Sequence, residues 1–160
     1  MTRWLDDDEL EAWMRLVALV ELLPGVLESQ LKRDSDLTHF EYVVLSMLSE
    51  APDRRLRMSV LGAATNATLP RLSHVVSRLE DRGLVRRVPC PADRRATNAE
   101  LTAEGWELVV EAAPGHVEQV RAAVFDALSP DQVAQLSQIS AAVLGRLDPD
   151  GAREAAIRYR

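Results

Sequence analysis

Between Met58 and Gly105 the chain reads MSVLGAATNATLPRLSHVVSRLEDRGLVRRVPCPADRRATNAELTAEG, and few folds accommodate that order of signals. From about Leu69 to Arg82 the apolar residues Leu72, Val76 and Leu79 recur at helical spacing, with Val75 beside them. Pro70, His74, Ser77 and Asp81 fall on the opposite side, flanked by Arg71 and Arg78 on one edge and Ser73 on the other. Thr68 can accept one of the free amide hydrogens at the helix start, and Pro70 sits in the first turn, where a missing N–H does no harm. Gly83 stops the helix, because glycine tolerates positive φ. A shorter helix from about Ser59 to Thr65 precedes it across a turn. Two helices so joined, the second capped and polar on its outer face, have helix-turn-helix geometry.

A hairpin follows. Leu84-Val85-Arg86-Arg87-Val88 reads as a strand, and Thr97 to Leu101 can return as its partner. Pro89-Cys90-Pro91-Ala92-Asp93 is expected to end the regular ladder, since each proline lacks a donor. Asp93-Arg94-Arg95 then forms a charged loop tip, and Leu56-Arg57-Met58 supplies a small third strand. Helix, turn, helix and strand pair make a winged helix, whose tip can present arginine to a narrow, electronegative minor groove.

Charge supports that reading. The net charge is −6, which by itself argues against a nucleic-acid binder. Residues 54–95, however, hold ten arginines against Glu80, Asp81 and Asp93, a local +7. The remainder holds nine basic and 22 acidic residues, −13. A solvated charged face is the plain alternative, but segregation this uneven, on a winged-helix pattern, favours phosphate contact, and an acidic body resists indiscriminate binding.

The 160 residues suit one domain with a sizeable core. Apolar residues make up 47% and aromatics 4%, which predicts a helical core of Leu, Val and Ala. No apolar run is long enough to span a membrane, and MTRWLDDDELEAW lacks a signal peptide's apolar segment. Cys90 stands alone, which excludes an internal disulfide and fits a reducing cytoplasm, the expected location.

Amphipathic helices flank the winged helix. The first is expected from Asp7 to about Arg33, with Asp6 to Glu9 complementing its dipole and Leu10, Trp13, Met14, Val17, Val20, Leu23, Leu27 and Leu31 on one stripe. Pro24-Gly25 predicts a kink or break. Thr38 and Glu41 form a capping box opening a helix to about Ser49, ended by Ala51-Pro52-Asp53. Thr102 caps a helix to about Ala127, with Trp106, Val109, Val110, Ala113, Val117, Val120 and Val124 on its apolar side and a kink expected at Pro114-Gly115. Ser129 and Gln132 box a last helix to about Leu147, and a frayed tail is expected over 148–160. No repeat or low-complexity segment interrupts this order, so the chain reads as a single domain over 1–160.

Several of these pieces together resemble the MarR-type regulators. The matching residues are Leu56-Arg57-Met58, Arg78-Leu79-Glu80-Asp81-Arg82-Gly83-Leu84-Val85, and the wing signature Asp-x-Arg followed by Leu-Thr-x-x-Gly, here Asp93 and Arg95, then Leu101-Thr102 and Gly105. The resemblance extends more loosely over residues 5–147. It implies a mainly α fold with a small β-wing: a winged helix-turn-helix lobe over 38–101 with dimerisation helices over 5–33 and 102–147. It implies a cytoplasmic homodimeric repressor on double-stranded DNA with a palindromic operator, and a small aromatic or anionic effector bound between the dimerisation helices and the DNA-binding lobe. It also gives Arg95 as the minor-groove residue, with Asp93 holding the loop; Arg94 is then the phosphate contact.

On the recognition helix, Arg71, Ser73, His74 and Arg78 are candidates for bases and phosphates, since arginine pairs bidentately with guanine and Ser or His meets several edges. Ser77 shares that face, Arg57 joins from the preceding strand, and Leu69 and Pro70 offer only apolar contact, as to a thymine methyl. Trp13, His39, Tyr42 and Trp106 are the candidates for an effector pocket, against a plain role in core or interface packing. His39, His74 and His116 are too dispersed in sequence for a metal site, and no cofactor is implied. No nucleophile elbow, phosphate loop or dinucleotide fingerprint occurs, so no catalysis is indicated. The competing readings are a winged-helix protein-interaction module without DNA binding and a thiol-based redox sensor through Cys90, which lies near Arg87 and Arg94 in sequence, against its plain role as a small residue filling a strand end.

Overall fold

The computed structural model describes residues 1–148 and Gly151; the tail expected beyond Asp148 otherwise lies outside the described residues. Asp6 accepts from the Glu9 amide at 2.8 Å and Glu9 reaches back to the Asp6 amide at 3.1 Å, opening α1 (Asp7–Ser35). The Thr38–Glu41 box opens α2 (His39–Glu50) in the same way. β1 (Arg55–Arg57) leads directly into α3 (Met58–Thr65). Asn66, at φ 52°, turns the chain, and Thr68 caps α4 (Leu69–Asp81). β2 (Val85–Cys90) and β3 (Asp93–Leu101) follow, then α5 (Ala103–Ala123), a 3-10 turn at Phe125–Ala127, and α6 (Pro130–Leu147). The fold is mainly helical, with one antiparallel sheet in the order β1-β3-β2.

The core sits where α2, α3 and α4 meet the sheet and the start of α5. Leu72, Val76 and Leu79, the stripe read from α4, are all fully buried against Val44, Leu45, Leu48 and Leu61. Burying each such side chain stabilises the lobe by about 1.5–3 kcal/mol. Leu31 carries the C-terminal half of α1 into this core, Leu27 is buried a turn earlier, and α1 packs along α5.

Four expectations need correction. Pro24 lies inside α1, so no break falls at Pro24-Gly25, and Pro114 likewise lies inside α5. Proline forfeits one backbone hydrogen bond, which helices of 29 and 21 residues absorb. The long helix after Thr102 ends at Ala123 rather than Ala127, and the 3-10 turn takes the remainder. β2 runs through Pro89, which pairs with Thr97, and the irregularity falls between Pro89 and Cys90. β2 is an edge strand, where an outward-facing N–H is not needed. The wing turn is consequently Pro91-Ala92, and Asp93-Arg94-Arg95 begins the returning strand instead of forming the tip.

Candidate nucleic-acid interface

With its apolar stripe buried, α4 turns Leu69, Pro70, Arg71, Ser73, His74 and Arg78 to the surface, while Ser77 is half-buried. Arg87 on β2, which the sequence did not single out, accounts for the serine. Its Nη2 donates to the Ser73 carbonyl at 2.8 Å and to the Ser73 and Ser77 hydroxyls, each at 3.1 Å. Its Nη1 pairs with Glu80, whose Oε1 also accepts from the Arg87 amide at 2.7 Å. One guanidinium thus spends its fork of donors stapling the wing to the recognition helix. Ser73 and Ser77 accept from that staple, and each hydroxyl keeps its own O–H donor.

Asp93 organises the other edge. One carboxylate oxygen accepts from Arg57 on β1, and the other accepts from the Arg95 amide at 3.0 Å. The Arg95 side chain enters no ion pair among the described residues and is exposed. The Arg94 side chain lies outside the described residues. Between wing and helix runs a groove of about 480 Å³, lined by Arg57, Ser59, Leu69, Ser73, Arg87, Asp93, Arg95 and Thr97. Seven of its ten lining residues, which also include Met58 and Ala96, are polar or charged, as suits a phosphate-bearing surface.

The patch is less positive than its own segment implies, because two carboxylates from outside 54–95 fold into it. Glu100 on β3 receives Arg55 Nε and Arg86 Nε, each at 2.7 Å. Arg86, followed by Arg55, holds the Glu100 carboxyl below the usual carboxylate range although burial opposes it. Glu41, fully buried at the start of α2, faces Arg78 Nη2 at 3.1 Å and Arg82 Nη1 at 4.0 Å. Ten arginines therefore stand among five carboxylates. Arg71 lies 4.4 Å over the Phe40 ring, and Arg54 lies 3.9 Å over Trp106.

A second cavity, of about 500 Å³, opens between α2 and the C-terminal half of α5. His39 and Tyr42 line it, with Ser46, His116, Val117 and Arg121. These two histidines, dispersed in sequence, come together, their ring centroids 6.2 Å apart, and the Tyr42 ring centroid lies 4.4 Å from that of His116. Burial lowers the His39 pKa from its ordinary value, against the opposing charge of Glu28, which accepts from the His39 amide at 2.7 Å. Trp13 and Trp106 are not among the lining residues: Trp13 is exposed on α1, and Trp106 carries Arg54. Among the described residues no group of three His, Cys, Asp or Glu side chains is placed to hold a metal, and no helix is long and apolar enough to cross a membrane. Cys90 is a half-buried free thiol beside the wing turn.

Comparison with known proteins gives consistent matches. The MarR family sequence model matches residues 35–96. Sco3205, a MarR family transcriptional regulator from Streptomyces coelicolor solved in complex with DNA, is 44% identical, with 93% of each chain covered and a TM-score of 0.89. AbsC, another MarR family regulator from that organism, is 39% identical over 91% of this chain and 98% of its own, with a TM-score of 0.87. BpsR from Bordetella bronchiseptica, whose DNA binding is regulated by 6-hydroxynicotinic acid, is 26% identical over 83% of this chain and 98% of its own, with a TM-score of 0.70.

Proposed function

Because the chain belongs to the MarR family of transcriptional regulators, we propose that it is a sequence-specific DNA-binding repressor acting as a homodimer on a near-palindromic operator. The observation that carries this reading is the exposure of Arg71, His74 and Arg78 on α4 and of Arg95 on β3, with Ser73 of α4 and Arg95 lining one groove between helix and wing. The outer face of α4 enters a major groove, Arg95 reaches the adjacent minor groove, and Arg57 and its neighbours meet phosphates. Sco3205 bound to DNA supports the assignment by relationship.

The dimer follows from surface left uncovered. Leu10, Trp13, Met14, Leu16, Leu19, Val20, Leu22 and Val26 of α1 are 42–70% exposed, and α6 contains no buried residue. So large an apolar face marks an association surface. Two lobes related by a two-fold axis then meet half-sites one helical turn apart, roughly 34–36 Å.

The cavity at His39 and Tyr42 is the effector site. Its aromatic and imidazole walls with Arg121 at the rim suit a small aromatic acid, the class to which BpsR's 6-hydroxynicotinic acid belongs. An effector releases DNA only by binding the DNA-incompetent arrangement more tightly.

Footprinting of the purified protein on its own upstream intergenic DNA tests the proposal. The expected result is a protected two-fold-symmetric site, whose protection weakens as an aromatic acid is added. Uniform protection of every duplex, or none, overturns sequence-specific repression.

A further inference from the structure

The first turn of α2 faces two ways. His39 and Tyr42 line the cavity, whereas Phe40 and Glu41 face the recognition helix. Glu41 is fully buried, and its two oxygens have different tasks. Oε2 accepts from the Thr38 amide at 2.8 Å, completing the cap of α2. Oε1 has no aligned hydrogen-bond donor and instead faces Arg78 Nη2 at 3.1 Å. A buried carboxylate is costly unless a cation compensates it, so the guanidinium is held to one place. Arg78 itself remains half-exposed on the outer face of α4, which leaves its other donors for a partner. Phe40 holds Arg71 in a parallel way, through its ring face.

We infer that Glu41 and Phe40 are positioning residues for DNA recognition: they touch no DNA but set the geometry in which Arg78 and Arg71 are presented. The inference rests on the DNA-binding reading above. Pre-orientation matters because a flexible arginine gives a sequence-blind phosphate contact as readily as a directed one, whereas a fixed guanidinium discriminates between bases. Losing Glu41 therefore lowers selectivity more than it lowers affinity, since the positive charge stays.

Glu41→Gln is the informative variant, because glutamine also completes a capping box and preserves the start of α2. The full-length protein, Glu41→Gln, Arg78→Ala and the double variant are compared on the operator and on a scrambled duplex, with thermal unfolding in parallel. Arg82 still lies 4.0 Å from Glu41 in the Arg78→Ala protein, so the carboxylate keeps one cation. Glu41→Gln is expected to cut the operator-to-scrambled ratio about tenfold, and in the Arg78→Ala background to change it less than about twofold. Phe40→Leu is expected to cut it about threefold through Arg71. An unchanged ratio in Glu41→Gln, or an equal loss in both backgrounds, overturns the positioning role. NMR relaxation of the Arg78 side-chain Nε–H in the free protein separates this from failure of the DNA reading. Ordering in the parent that is lost in Glu41→Gln supports positioning whether or not DNA binds, and equal mobility in both refutes it.

Discussion

Arg95 and Asp93 divide one task between them. Asp93 ties β1 to β3 through Arg57 and the Arg95 amide, leaving the Arg95 side chain exposed at the groove. Arg95→Ala is therefore expected to weaken operator binding by about 5- to 100-fold, the worth of one good base-directed contact. An exposed side chain without an ion pair contributes little to folding, so thermal denaturation should hardly shift. His39 offers a pH test. Burial lowers its folded-state pKa below the ordinary 6.5, so the unfolded chain binds the proton first as pH falls. Its contribution to stability is complete above 6.5 and is lost as pH falls through the lowered folded value. Unfolding midpoints from pH 7.5 to 5 should fall more steeply in the parent than in His39→Gln; parallel slopes would show that His39 is not the group concerned. Asp93 and Arg95 were legible because their pattern is local. Arg87 was not, because its partners lie 7, 10 and 14 residues back on another element, at no spacing a single sequence reveals. Glu41 was read as a cap, which it is, but its pairing with Arg78 joins two helices and left no local trace.

The elements were read well wherever a cap or stripe marked them. Thr68, Thr38, Thr102 and Ser129 each cap the helix that their spacing announced, and the α4 stripe is the buried one. Proline misled in the wing, where Pro89 keeps its place in β2, and Pro24 does not break α1, because its cost is one hydrogen bond and the surroundings decide whether that bond is needed. The junction of β3 and α5 shows the reverse, a local residue with a tertiary reason. A Cβ on Gly105 would collide with the Leu84 carbonyl oxygen and come within 2.7 Å of Leu101 Cδ1. The backbone at Leu84 also accepts from the Thr102 amide at 3.1 Å, so it is not free to retreat. Gly105→Ala is expected to destabilise the lobe by about 1–3 kcal/mol, as overpacking does. Chemical denaturation measures this directly, and an unchanged midpoint would mean the wing root is looser than its geometry.

The whole molecule sets an arginine-rich face on an acidic body and leaves apolar α1 and α6 surface uncovered. The sequence conveyed that segregation but overstated it, because Glu41 and Glu100 are remote in the chain and join the arginines only on folding. A lobe partly neutralised in this way holds its arginines in fixed positions and depends less on bulk charge for attraction. The cavity was only half legible: His39 and Tyr42 were named for it, whereas His116 and Arg121 come from a helix brought alongside by tertiary packing. The central claim is selective duplex binding by two copies of this chain. Fluorescence anisotropy on the upstream intergenic DNA, repeated across a salt series and against a scrambled duplex, measures it most directly. The account predicts selective binding at two protomers per site, with the logarithm of affinity falling linearly with the logarithm of salt by about 0.9 per phosphate contact. Weak binding indifferent to both sequence and salt would contradict it, and would leave the winged helix as a surface for protein partners.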